Sequence, residues 1–173
     1  MKQIQFNADG CLHILPAESS SARDFDFFIG QWKVKNRKLK SRLDNCREWE
    51  EFEASDEDHM ILGGLGNTNT FRTNQEGKNF EGITLRLFNP VTGLWSLYWA
   101  DSNNGVLDVP VVGSFNGDIG QFFCRDFFRG KTIIVQFHWD KSRIDHPVWS
   151  QAFSEDGGKN WEWNWYMEFE RTL

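Results

Sequence analysis

Residues 111–140 read VVGSFNGDIGQFFCRDFFRGKTIIVQFHWD, and this stretch decides the fold. It predicts three strands, over 110–115, 119–128 and 131–140. Asn116-Gly117, between Phe115 and Asp118, is a two-residue hairpin signal, because a type I′ turn needs positive φ at both central positions. Arg129-Gly130-Lys131 marks a second tight reversal. In the third run Ile133, Val135, Phe137 and Trp139 alternate with Ile134, Gln136 and His138, as in a strand with one buried face. In the second run Phe122, Phe123, Phe127 and Phe128 fall on both faces, which predicts a bulge or a covered outer surface.

The same period of two extends in both directions. Further strands are expected over 31–40, 47–55, 66–73, 80–88, 94–101, 148–154 and 161–171, with turn residues between them and no long helical period. Asn89-Pro90-Val91-Thr92-Gly93 reads as a longer hairpin loop. Tight reversals between consecutive strands mean up-and-down connectivity. About ten such strands close most economically into an antiparallel barrel, because closure removes exposed edges. Trp95, Leu97 and Trp99 share one face of their strand; Trp161, Trp163, Trp165, Met167 and Phe169 share one face of the last. Ahead of the barrel, Ser21 is placed to cap a helical turn over Ala22–Phe28, with Asp24 in the capping-box position and Gly30 ending it. The chain therefore divides into an N-terminal tail or edge segment, 1–21, and an all-β barrel domain, 22–173.

Composition narrows the function. The 173 residues include 9 Trp and 16 Phe against 2 Tyr, enough rings to fill a large core and to wall a pocket. A net charge of -6 argues against nucleic acid, which needs a basic footprint. No apolar run is long enough for a membrane helix. The start, Met1 to Asn7, lacks the apolar core of a signal peptide, so a cytoplasmic protein is expected. Cys11, Cys46 and Cys124 are odd in number and widely spaced, as reduced thiols are. His13, His59, His138 and His146 show no metal-ligand spacing, and no motif calls for a metal or a cofactor.

Basic residues crowd 33–47 and acidic ones crowd 48–58. Two adjacent, balanced runs predict a hairpin whose strands neutralise each other across the pair, rather than a phosphate patch. Gly63-Gly64-Leu65-Gly66-Asn67 lacks the Lys-Ser/Thr end of a phosphate loop and reads as a tight turn or bulge. Ser154-Glu155-Asp156-Gly157-Gly158-Lys159-Asn160-Trp161 resembles the Asp-box of sialidases. There Asp156 is expected to accept backbone N–H bonds and hold a local hairpin.

The run Asp26-Phe27-Phe28-Ile29-Gly30-Gln31-Trp32-Lys33-Val34 resembles the opening of lipocalins and fatty-acid-binding proteins, where a helical turn leads into Gly-x-Trp on the first strand. Arg171, on the last strand, matches the Arg that packs over this Trp in those families. Leu85–Trp99 and Trp149–Arg171 are similar to a bacterial family of uncharacterised lipocalin-like proteins of the calycin kind, and the resemblance covers roughly 24–173. It implies that Trp32 and Arg171 close one end of the barrel. The chain departs from secreted lipocalins in lacking a signal peptide and a disulfide pattern.

Three functions are expected in order. The first is binding of a small hydrophobic or aromatic molecule in an interior lined by Trp32, Trp95, Trp99, Phe137, Trp139, Trp163 and Trp165, with Asn36 and Gln151 as inward polar groups. Arg86 joins them only if its strand carries a bulge, since parity points it outward. The second is a calycin-type isomerase or lyase, for which Asp101 is the best acid, although it also reads as a strand-end turn former. The third is haem binding as in nitrobindin-like barrels, with His146 at the barrel mouth; Lys33-Val34-Lys35-Asn36 replaces the glycine-rich continuation of that family. Outward Ile134, Tyr98, Tyr166 and Phe88, with part of the Phe122–Phe128 cluster, predict a homodimer.

Overall fold

A computed structural model describes residues 4–6 and 11–172. Two short strands, β1 (Ile4–Phe6) and β2 (Leu12–Ile14), pair with each other, and a 3₁₀ turn follows at Asp26–Phe28. Ten strands then form the barrel. These are β3 (Gly30–Leu39), β4 (Trp49–Ile61), β5 (Gly66–Gln75), β6 (Lys78–Asn89), β7 (Leu94–Asp101), β8 (Val111–Asn116), β9 (Ile119–Phe128), β10 (Lys131–Asp140), β11 (Val148–Ser154) and β12 (Glu162–Thr172). Each is antiparallel to its neighbours, and β12 closes on β3. The expected all-β, up-and-down barrel is the observed one.

The turns explain the connectivity. Arg129 and Gly130 both have positive φ, 50° and 78°, and join β9 to β10 as a two-residue reversal. At the β8–β9 hairpin the pairing ends on Asn116↔Ile119, so the turn residues are Gly117 and Asp118, and Gly117 carries the positive φ. The expected turn is thus moved by one residue, which needs positive φ once rather than twice. Ser21 and Asp24 do start the turn ahead of the barrel: the Ser21 N–H donates to the Asp24 carboxylate, and the Arg23 N–H donates to Ser21 Oγ. Asp156 accepts the Lys159 and Asn160 N–H groups, which holds its carboxyl down at about 2.

Three expectations about strand extent and faces are corrected. β4 runs to Ile61 instead of stopping at residue 55, and keeps its inner face through Phe52, Ala54, Asp56 and Asp58. On β6 the parity is inverted. Phe80, Gly82, Thr84, Arg86 and Phe88 face inward, and Ile83, Leu85 and Leu87 face outward, with unbroken register to both neighbours. Gly82 explains part of this: the Trp99 ring occupies its inner side so closely that a Cβ would lie 2.2 Å from Trp99 Cη2. On β12 a register shift opposite Gln151/Ala152 leaves Asn164 as the extra residue, so Trp163 and Trp161 change to the outer side. Trp163 meets Tyr166 and His138 there. Of the two alternatives for β9, the covered outer surface is the one observed: Phe122 is inside, and outer-face Phe123 and Ile134 are buried, with β2 packed on β9 and Trp161 against Phe123. The apolar surface behind the dimer expectation is smaller than its sequence parity implied, although Phe127 stays 74% exposed.

Candidate functional site

The barrel has one plugged end and one open end. At the plugged end the segment before β3 inserts Phe25, Phe27 and Phe28, all buried. Trp32 is 1% exposed; its ring stacks with Phe28 at 5.2 Å and its Nε1–H donates to the Phe28 carbonyl at 2.7 Å. The Arg171 guanidinium lies 4.1 Å from the Trp32 ring centroid. It also donates to the carbonyls of Ile29 and Phe27 and pairs with Asp145. One side chain on the last strand thus ties down both the first strand and the plug.

Between plug and open end lies a cavity of about 310 Å³, within the range that small-molecule sites occupy. Its walls carry Phe71, Phe80, Trp99, Phe137, Trp149 and Trp165. The floor is polar. Asp58 is fully buried and pairs with buried Arg86 at 2.8 Å. Arg86 donates to Asn67 Oδ1 as well, and its guanidinium sits 5.0 Å from the Phe28 ring. Asp56, also buried, accepts from Asn69 Nδ2, while Asn69 Oδ1 accepts from the Thr84 N–H. Asp58 therefore holds the guanidinium directly, and Asp56 is influenced by its charge without touching it. Burial pushes Asp56 up to about 6 and Asp58 up to about 7, opposed by Arg86; their mutual repulsion adds to the rise of Asp58. Asp56 Oδ1 is buried without a hydrogen-bond partner and belongs to a residue of the cavity lining.

Of the residues expected to bind ligand, Trp99, Phe137, Trp139, Gln151 and Trp165 line the cavity. Asn36, Trp95 and Trp163 do not. Asn36 faces inward, and its Oδ1 accepts the Trp165 Nε1–H at 3.0 Å. Trp95 belongs to the plug, edge-on to Phe25, with its Nε1–H on the Ser21 carbonyl. Trp163 is outside because of the bulge on β12. Arg86 is inside without any bulge in its strand. Asp101 stands at the open end, where it accepts from Trp99 Nε1 and from the Asn103 N–H, as a turn former does. His146 is exposed on the β10–β11 connection at the plugged end, where the Asp145 and Pro147 carbonyls bond to Arg171 and Phe169, and not at the mouth. Among the described residues no group of three His, Cys, Asp or Glu comes together to hold a metal.

Asp56, Asp58, Asn69, Thr84, Lys38 and Arg42 were missed as site residues. Parity carried a signal for three of them. Asp56 and Asp58 continue the alternation of Phe52 and Ala54, and Lys38 continues that of Trp32, Val34 and Asn36. Their charge argued the other way.

A barrel closed by ten antiparallel strands, plugged at one end by a short turn and hollow at the other, is lipocalin-like in fold. Among solved structures it is similar to the S-type phycobiliprotein lyase CPES from Guillardia theta, with a TM-score of 0.60 over 90% of this chain and 94% of that one, at 10% sequence identity. No protein-family model matches the chain, and no curated protein matches it.

Proposed function

We propose that this barrel binds a small, flat, largely apolar organic molecule between its aromatic walls. The observation that carries this reading is the cavity itself. It is ringed by indole and phenyl groups and floored by the polar side chains of Asp56, Asn69, Thr84 and Arg86. Rings stack on rings, and a few polar groups at the floor fix orientation. Fold similarity to a phycobiliprotein lyase makes a bilin a natural first pigment to test.

The reading is tested by native mass spectrometry of the purified protein for a bound molecule, followed by fluorescence titration. Four of the nine tryptophans, Trp99, Trp139, Trp149 and Trp165, line the cavity, so an occupying ligand is expected to quench a large share of the indole emission. Unchanged emission with a ligand that binds by calorimetry would place the ligand elsewhere and sink this reading.

A second reading is favoured by the raised Asp56 and Asp58 carboxyls, which suit proton transfer near neutral pH in a calycin-type isomerase or lyase. Asp56→Asn separates the two. A binding protein keeps its quench in this variant and releases the same molecule that it took up. An enzyme binds but no longer converts, which the mass of the released molecule shows.

A further inference from the structure

The open end holds two cations, Lys38 and Arg42, that no carboxylate meets in an ion pair among the described residues. Lys38, on the inner face of β3, stands opposite Trp165 of β12 and brings Nζ to 4.3 Å from that ring. Arg42, from the β3–β4 connection, brings its guanidinium to 5.9 Å from the same ring and 5.3 Å from Phe153. Both are half-buried and both line the cavity. Among the described residues neither makes an ion pair.

The acids nearby reach them only through space: Glu50 and Asp101 act on Lys38 and Glu162 on Arg42, while Asp108, also in the lining, pairs with neither. Both oxygens of Glu162 accept the Leu43 N–H at 3.0 Å. Asp101 is taken by Trp99 and Asn103. Glu50, across the strand pair from Lys38, is exposed to solvent. Burial first, then the charge of Arg42, push the Lys38 ammonium below its ordinary range, and burial lowers Arg42 too. Two like charges held over one indole at the lip of an apolar cavity are costly unless an anion joins them. The floor offers no such place. There Arg86 pairs with Asp58 at 2.8 Å and Asp56 adds a second acid nearby, so although the Arg86 Nε–H has no acceptor, two carboxyls stand against one cation and the floor does not favour an anion.

We infer that the ligand is an aromatic or conjugated carboxylic acid, whose flat body lies in the cavity and whose acid group is held at the mouth by Lys38 and Arg42. This rests on the binding reading above and adds the polarity and direction of the ligand. The non-acidic end goes to the floor, beside Asp56, Asn69 and Thr84. Charge-assisted bonds from a guanidinium and an ammonium select an acid over its neutral analogue.

Two fluorescent probes with nearly the same ring system test it: 1-anilinonaphthalene-8-sulfonate, which carries an anion, and N-phenyl-1-naphthylamine, which does not. Each is titrated into the protein and into Lys38→Met/Arg42→Met, which keeps much of the apolar stems. The double variant is expected to weaken the anionic probe roughly ten- to a hundred-fold, the size of a lost charge-assisted contact, and to change the neutral probe by less than about two-fold. Displacement of the anionic probe by the neutral one shows that both occupy the cavity. If both probes bind but the variant weakens them equally or not at all, the mouth is not an acid site and the inference is overturned alone. If neither probe binds the unaltered protein, the binding reading falls with it. Arg42→Gln, a change in a connecting loop, supplies the same comparison should the double variant fail to fold.

Discussion

Arg86→Ala is expected to destabilise the barrel by about 3–5 kcal/mol at neutral pH, the cost of breaking a buried ion pair from one side. Arg86 is 3% exposed and Asp58 1%, so water cannot replace the lost partner. Asp56 loses the same guanidinium. Removing the two acids' attractive neighbour drives both further above about 6 and about 7, while in the unfolded chain they titrate near 3.8. Between those limits the native state holds protons that the unfolded state has released, so stability rises as pH falls. The unaltered protein shares this slope, losing stability from these groups as pH rises from about 4 to about 7 and levelling above. In Arg86→Ala the window extends to higher pH and the loss is larger. Denaturant melts of both proteins at pH 8 and pH 5 check this: the gap should narrow at the lower pH. An equal gap at both would mean that the deficit comes from lost packing alone. Arg86→Met combined with Asp58→Leu should recover much of the loss, since an apolar pair replaces the charges together.

Trp32→Ala is expected to cost about 3–5 kcal/mol, as truncation of a fully buried aromatic does. The ring touches the plug through Phe28, the last strand through Phe169 and the closing Arg171, so the void would open where three parts of the chain meet. Arg171→Ala should cost less, about 1–2 kcal/mol, because its stem packing and cation–π contact are lost but water reaches the vacated side. The two changes together should cost less than their sum, by about 0.5 kcal/mol or more, because each removes the same contact. Additive melting shifts would show that the guanidinium's bonds to Ile29 and Phe27, rather than its place over Trp32, are what hold the end closed.

Sequence parity located half of the site. On β10 and on the C-terminal half of β12 alternation of rings with polar residues put Phe137, Trp139 and Trp165 inside, where the cavity has them. On β6 the same rule pointed the wrong way. It pointed Arg86 and Phe88 outward, yet the barrel puts Thr84, Arg86 and Phe88 inside. Hydrophobicity identifies an inner face only where the interior is apolar. At the floor it is not, because Arg86 brings with it Asp58, Asn67 and Asp56, from strands up to 30 positions away. On β4 the acidic run hid the two residues that alternation from Phe52 and Ala54 would have turned inward.

What the sequence determined by itself is local: strand period, the reversals at Gly117 and Gly130, and hence the up-and-down order that brings β12 against β3. These follow from steric preferences within a few residues of each turn and from a period of two along each strand. The tertiary structure alone decided which charges are buried and which rings are outside. Desolvating Asp56, Asp58 and Arg86 is tolerable only when they meet one another, and that meeting needs three separate strands in a single register. Trp163 left the interior for a similar reason: the bulge that turned it outward is set by the pairing of β12 with β11, and its own stretch of sequence carries no sign of that partner.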